Sequence, residues 1–125
     1  MQLDPHFNDI DLSHGNLTAA NCKKVRDTFR AHDLPISCIL GDTNIIHPDM
    51  AHRKANVDRL KDSIRNARAL GTPYVISETG TYNTEEGFEA CRKIIAELAQ
   101  EAYDHSAMVL LETYVNKVGS VEETV

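Results

Sequence analysis

No stretch of this sequence approaches the roughly 20 uninterrupted apolar residues of a membrane-spanning helix. Met1 to Asp11 carries neither a basic leader nor an apolar run, so no secretory signal is expected and a cytoplasmic location is. Basic charge is in deficit: 13 Lys and Arg stand against 19 Asp and Glu, giving a net charge of −6 and a pI near 5.4. Phosphate contacts leave a basic footprint, and none is present, so neither nucleic acid nor membrane is expected as a partner. Cysteine occurs three times, as Cys22, Cys38 and Cys91, far apart and among apolar neighbours. No CxxC pair exists for metal or redox chemistry, and buried thiols are expected.

What is present is the make-up of one globular unit over residues 1–125, with 42% hydrophobic and 26% charged residues. Short apolar runs alternate with amphipathic helices, the pattern of βα units on a parallel sheet. Ile10 to Ser13 reads as a first strand, followed by the turn His14-Gly15-Asn16. Thr18 is placed to cap a helix carrying Cys22, Val25 and Phe29 on one stripe, with Leu17 as its staple, and Leu34-Pro35 stops it. Ile36 to Leu40 is the second strand, and the loop from Gly41 to Pro48 is the longest in the chain. A long helix then places Val57, Leu60, Ile64, Ala67 and Leu70 on its apolar stripe and ends at Gly71. Its cations between Arg53 and Arg68 alternate with Asp58 and Asp62, as on a solvated helix face. Tyr74 to Ser77 is the third strand, and Asn83 or Thr84 caps the next helix. Met108 to Leu111 is the fourth, ending at Glu112.

Four strands and three helices, about 30 residues per unit, fit half of a barrel of roughly 250 residues. A doubly wound open sheet has similar units, but a glycine-rich or acidic cluster normally follows its first strand, where only His14-Gly15-Asn16 stands. The expected fold is therefore α/β, a partial (β/α)8 TIM barrel of parallel strands. Ser120-Val121-Glu122-Glu123 has the form of a capping box with only Thr124 and Val125 behind it, so the native product is expected to continue beyond Val125.

Active sites of such barrels lie at the carboxyl ends of the strands. Those ends offer His14, then Asn44 and His47, then Glu78, then Glu112. Two imidazoles and two carboxylates on one rim can bind a divalent metal or exchange a proton with substrate. Each has a plainer alternative: the histidines as turn or cap partners, Glu78 as a solvated loop carboxylate. Glu112 ends the run Met-Val-Leu-Leu, where a carboxylate must be paired, bind a cation or change its protonation, so it is the strongest candidate.

The run Arg59 to Ile76, with its Ala-Arg-Ala-Leu-Gly helix end, resembles the segment of xylose isomerase-like barrels that leads into the fourth strand. Val109-Leu110-Leu111-Glu112 is similar to that family's fifth strand, whose last glutamate ligates metal. The resemblance covers strands two to five. It implies a sugar or sugar phosphate isomerase or epimerase that holds manganese, magnesium or cobalt and works by proton abstraction through an enediolate. Glu112 would then be a metal ligand and an acid or base, with His14, Asn44, His47 and Glu78 near the substrate. Ser77-Glu78-Thr79-Gly80 departs from the histidine that the family often carries at the fourth strand. The remaining ligands of such enzymes come from strands six to eight, so activity of this chain alone is not expected. Two alternatives stand beside this reading. One is a non-catalytic half-barrel that self-associates or pairs with a second chain, since an open sheet exposes edges and an apolar face. The other is an endonuclease IV-like metal-dependent phosphodiesterase with His47 and Glu112 as ligands, which the acidic charge disfavours.

Overall fold

The structure, a computed structural model, describes residues 2–3, 6–7, 10–11, 17–41, 44–80 and 84–112. Along them run β1 (Gln2–Leu3), β2 (His6–Phe7), β3 (Ile10–Asp11), α1 (Ala19–Ala31), β4 (Cys38–Gly41), α2 (Met50–Leu70), β5 (Tyr74–Glu78), α3 (Glu85–Asp104) and β6 (Met108–Glu112). Strands β1, β4, β5 and β6 form one sheet in that order, every pairing parallel, and β2 and β3 form a separate antiparallel ribbon.

The first strand of the parallel sheet is thus Gln2–Leu3, not the expected run from Ile10. Phe7 and Ile10 pair only three positions apart in sequence. Pairing segments so near in the chain loses less chain entropy than recruiting Ile10 to a distant parallel partner. Leu12 to Asn16, with the candidate His14, and the terminal capping box lie outside the described residues.

The helices begin and end where their local chemistry dictates. Thr18 Oγ1 accepts from the Asn21 N–H at 3.2 Å, Asp49 Oδ1 from the His52 N–H at 2.9 Å, and Thr84 Oγ1 from the Gly87 N–H at 3.1 Å. Each satisfies one of the orphan donors of a first helical turn. Glu85 and Glu86 occupy the first turn of α3, where the helix dipole favours negative charge. Gly71 ends α2 with φ of +97°, a left-handed conformation that side chains resist.

Helices α2 and α3 run parallel and are stitched along their length. Lys61 pairs with Glu97, and one turn on, Arg65 Nε reaches Glu101 Oε1 at 2.7 Å. At the far end, Arg68 Nε donates to the Ser106 carbonyl at 2.7 Å. The hydrogen bond from Arg65 holds the Glu101 carboxyl below its usual range, and the same contact raises Arg65. What reads in sequence as a solvated face is therefore in part a seam between helices.

Side-chain alternation tells which face of the sheet the helices cover. On β5, Val75 and Ser77 are buried, whereas Tyr74, Ile76 and Glu78 point the other way. Register extends the rows across the sheet: Ile39, Val75 and Val109 in one, Leu40, Ile76 and Leu110 in the next. The first row packs into the core with Cys22, Val25 and Phe29 of α1, Leu60 and Ile64 of α2, and Cys91 and Leu98 of α3. Burial pushes the thiols of Cys22 and Cys91 up in pKa. On the opposite face Tyr74, Met108 and Leu110 remain exposed. An open doubly wound sheet carries helices on both faces and reverses its strand order. Here the helices share one face and the strands follow chain order, which is the construction of a partial TIM barrel, and no helix of the described residues covers the inner face.

Candidate active site

Glu78 is the last residue of β5 and Glu112 the last of β6, and the two are paired in register. Partners in a parallel ladder share a face, so both carboxylates stand on the inner face, above Ile76 and Leu110, on strands about 4.8 Å apart. Each is half-buried. Like charges placed side by side on neighbouring strands repel, and a cation between them removes that cost.

The loop after β4 forms the adjacent stretch of rim. Ile45 and Ile46 anchor it in the core. Asn44 Oδ1 accepts from the Ile46 N–H at 3.1 Å, and the Asn44 carbonyl accepts from Asn56 Nδ2 at 2.9 Å. Asn44 lies directly against Gly80, where φ is +85° and an added Cβ would stand 2.2 Å from Asn44 Oδ1. Before Gly80 comes Thr79, buried, with its hydroxyl donating to the Gly80 carbonyl at 3.2 Å. The exit loops of β4 and β5 are thus in van der Waals contact.

His47 is held by its own helix start. Its Nδ1 accepts from the Asp49 N–H at 3.1 Å, so the neutral ring carries its proton on Nε2 and presents a donor there. Its carbonyl accepts from Arg53 Nε at 2.9 Å, and its ring lies 5.0 Å from that of His52. His52 Nδ1 stands 3.1 Å from Asp49 Oδ1. The backbone N–H of His52, foremost, holds the Asp49 carboxyl below the usual range.

Of the residues expected at the strand ends, Glu78 and Glu112 are brought together, and Asn44 touches the turn two residues beyond Glu78. His47 follows on the same loop but is engaged with Asp49 and His52. His14 lies outside the described residues. Sequence reasoning passed over Gly80 and the cap at Asp49. The signal for the first was a glycine directly behind a strand end, which marks a close backbone approach. For the second it was Asp behind Pro48 and ahead of a helical stripe.

Two carboxylates are the donor type a hard divalent cation takes. They do not complete a coordination shell, and among the described residues no group of three or more His, Cys, Asp or Glu converges as a metal site. No helix of the described residues is long and apolar enough to cross a membrane.

The family profile described as xylose isomerase-like TIM barrel matches residues 1–125. The chain belongs to this family. Solved structures with the same xylose isomerase-like fold include a xylose isomerase domain protein from Planctomyces limnophilus, 17% identical with a TM-score of 0.69 over 80% of this chain and 41% of that one. A xylose isomerase-like TIM barrel protein from Mycobacterium smegmatis, in complex with magnesium, is 15% identical with a TM-score of 0.68 over 86% and 41%. The 3-keto-D-glucoside 4-epimerase of E. coli, in its apo form, is 14% identical with a TM-score of 0.59 over 88% and 53%. At these identities the likeness is one of fold, and the alignments span from 41% to 53% of those chains. No curated protein sequence matches the chain.

Proposed function

We propose that this chain is one partial-barrel unit of a cytoplasmic metal-dependent sugar or sugar phosphate isomerase or epimerase. The observation that carries the reading is the registered pair Glu78 and Glu112, side by side on the inner face at the carboxyl ends of parallel strands. A xylose isomerase-like barrel has its reaction centre at that end.

In this reading Glu112 is a metal ligand and the catalytic acid or base, and Glu78 a second carboxylate toward cation and substrate. Manganese, magnesium or cobalt, when bound, polarises the substrate carbonyl. The Glu112 carboxylate takes the proton from the adjacent carbon, and the C–H electron pair moves toward the carbonyl to give an enediolate. Return of the proton to the former carbonyl carbon, with the hydroxyl proton passing to the former carbonyl oxygen, isomerises the sugar; delivery of a proton to the opposite face of the same carbon by a second acid epimerises it. His47 donates from Nε2 to a sugar oxygen, with His14 and Asn44 completing the rim. At these strand ends the described residues supply two carboxylates, so in this reading the remaining ligands come from outside them.

The exposed side chains of Tyr74, Met108 and Leu110 on the inner face favour a second reading, a non-catalytic half-barrel that associates with a second copy or another chain. The endonuclease IV-like alternative needs a lone pair at His47 Nε2, and the Asp49 N–H directed at Nδ1 places a proton there instead.

The test is Mn²⁺ titration of the purified chain by electron paramagnetic resonance, with sedimentation to fix its mass. Wild type is expected to bind only weakly, since further ligands are needed for a full shell, and Glu112→Gln and Glu78→Gln are each expected to weaken it further by about tenfold, as for loss of one charge-assisted contact. Binding unchanged in Glu112→Gln would remove the metal reading, and a strictly monomeric mass at high concentration would remove the self-associating one.

A further inference from the structure

Where the parallel strands begin, at the opposite end of the sheet from Glu78 and Glu112, the C-terminal ends of α1 and α2 leave a cleft of about 330 Å³. Phe29, Leu34, Ile36 and Leu70 give it apolar walls, and Arg26 and Arg30 line it from successive turns of α1. No carboxylate belongs to the lining, in a chain whose net charge is −6. An apolar hollow with a few polar groups placed on its wall is the usual form of a small-molecule site.

Neither guanidinium is fully used by the fold. Arg26 donates through Nη1 to the Ala69 carbonyl, a long bond of 3.3 Å to the last turn of α2. Its Nε is buried and has no hydrogen-bond partner. Asp27 Oδ1, 3.5 Å away, makes an ion pair with that edge but no hydrogen bond. The Asp27 carboxylate is held first by Lys23, the contact that chiefly sets it below the usual carboxylate range. The Arg26 side chain keeps 32% of its exposure, so it sits at the cleft wall rather than inside the core. Arg30 is exposed in the last turn of α1 and has no ion pair among the described residues. A buried N–H left unpaired costs stability, and an acceptor that reaches it recovers that cost. On a guanidinium, Nε–H and the Nη2 N–H beside it form the fork that a carboxylate meets with both oxygens. A bridge from α1 to α2 accounts for Nη1, but for neither Nε nor the second cation.

We propose that this cleft is a binding site for a small organic carboxylate with an apolar body. Arg26 and Arg30 take the carboxylate, and the apolar body lies against Phe29, Leu34 and Leu70. The site stands away from the candidate reaction centre and does not rest on the reading of Glu78 and Glu112.

The test is titration of the isotopically labelled chain with hexanoate, followed by backbone amide and Arg Nε–H resonances at fixed ionic strength. Hexanamide serves as the neutral counterpart and inorganic phosphate as the bare anion. Hexanoate is expected to move the resonances of Arg26, Phe29, Leu70 and Gly71 saturably, and to bind about tenfold more tightly than either control. Arg30→Gln is expected to weaken binding about tenfold, the scale of one charge-assisted contact. Leu34 is 43% exposed, so Leu34→Asp leaves the core intact while setting a like charge on the apolar wall, and an equal loss is expected. Arg26→Lys keeps the charge but gives up the fork, and weakens binding likewise. If Arg26→Lys does not fold, the other two variants decide. Resonances unmoved by hexanoate, or moved equally by hexanamide, overturn the site. Phosphate bound as tightly as hexanoate overturns the apolar part of the ligand, and wild-type affinity in Arg30→Gln or Leu34→Asp overturns the placement.

Discussion

Strands β5 and β6 are neighbours in register, and they are buried to very different degrees. Val75 on β5 is sealed, yet Val109, its partner on β6, is only half-buried. Ser77 is fully buried, whereas its partner Leu111 is not. By composition β6, with Met108-Val109-Leu110-Leu111, is the more apolar of the two. The difference lies in what surrounds them. Strand β5 has β4 on one side, β6 on the other and α2 against it, while among the described residues β6 has a sheet neighbour on one side only. Beside it α3 leaves a groove of about 260 Å³ lined by Leu98, Ala102, Tyr103, Val109 and Leu111. Apolar character creates the drive to leave water; only neighbours of the right shape let a side chain do so.

Leucine to alanine at two positions breaks this comparison most directly. Leu60, fully buried in α2, is expected to cost about 2–5 kcal/mol when truncated. Leu110, 39% exposed, is expected to stay within about 0.5 kcal/mol. Urea denaturation followed by circular dichroism measures both. A loss at Leu110 as large as that at Leu60 would mean that the inner face of β6 is covered in solution.

Gly41→Ala probes the packed side at its tightest point. A Cβ there would lie 2.5 Å from Leu60 Cδ1 and 2.8 Å from the Ile76 carbonyl, so overpacking is expected to cost about 1–3 kcal/mol. An unchanged denaturation midpoint would show that α2 is free to shift away from the sheet.

The smallest effect concerns the seam between α2 and α3. The Arg65 hydrogen bond lowers the folded-state pKa of Glu101, so the stabilisation is complete above the unfolded value of about 4.3 and is lost as pH falls through the lower folded value. Glu101→Gln is expected to flatten the acid limb of a Tm-against-pH profile and to lower Tm slightly at neutral pH. An acid limb as steep as that of wild type would place the titration elsewhere.

Much of the fold was legible before any coordinates. The stripes Cys22, Val25, Phe29 and Val57, Leu60, Ile64 are the buried faces of α1 and α2, and Thr18, Gly71 and Thr84 cap where their chemistry suggests. The strand ends at Glu78 and Glu112 were equally plain, because an apolar run that closes on a carboxylate is a local pattern. The start of the sheet was not legible: Gln2–Leu3 is too short to show periodicity, and Ile10 had a nearer antiparallel partner in Phe7. Nor did sequence reveal that Lys61 and Arg65 face α3, since their acids lie a whole βα unit away.

By itself the sequence settled the three helices and the strands between and after them, because helix stripes, caps and breakers act within a few residues of one another. Only the tertiary structure decided that all three helices share one face, that Glu78 stands beside Glu112, and that Asn44 rests on Gly80. Those facts depend on register and packing between segments tens of residues apart. The energy that selects them comes from surfaces that meet only when the chain is folded.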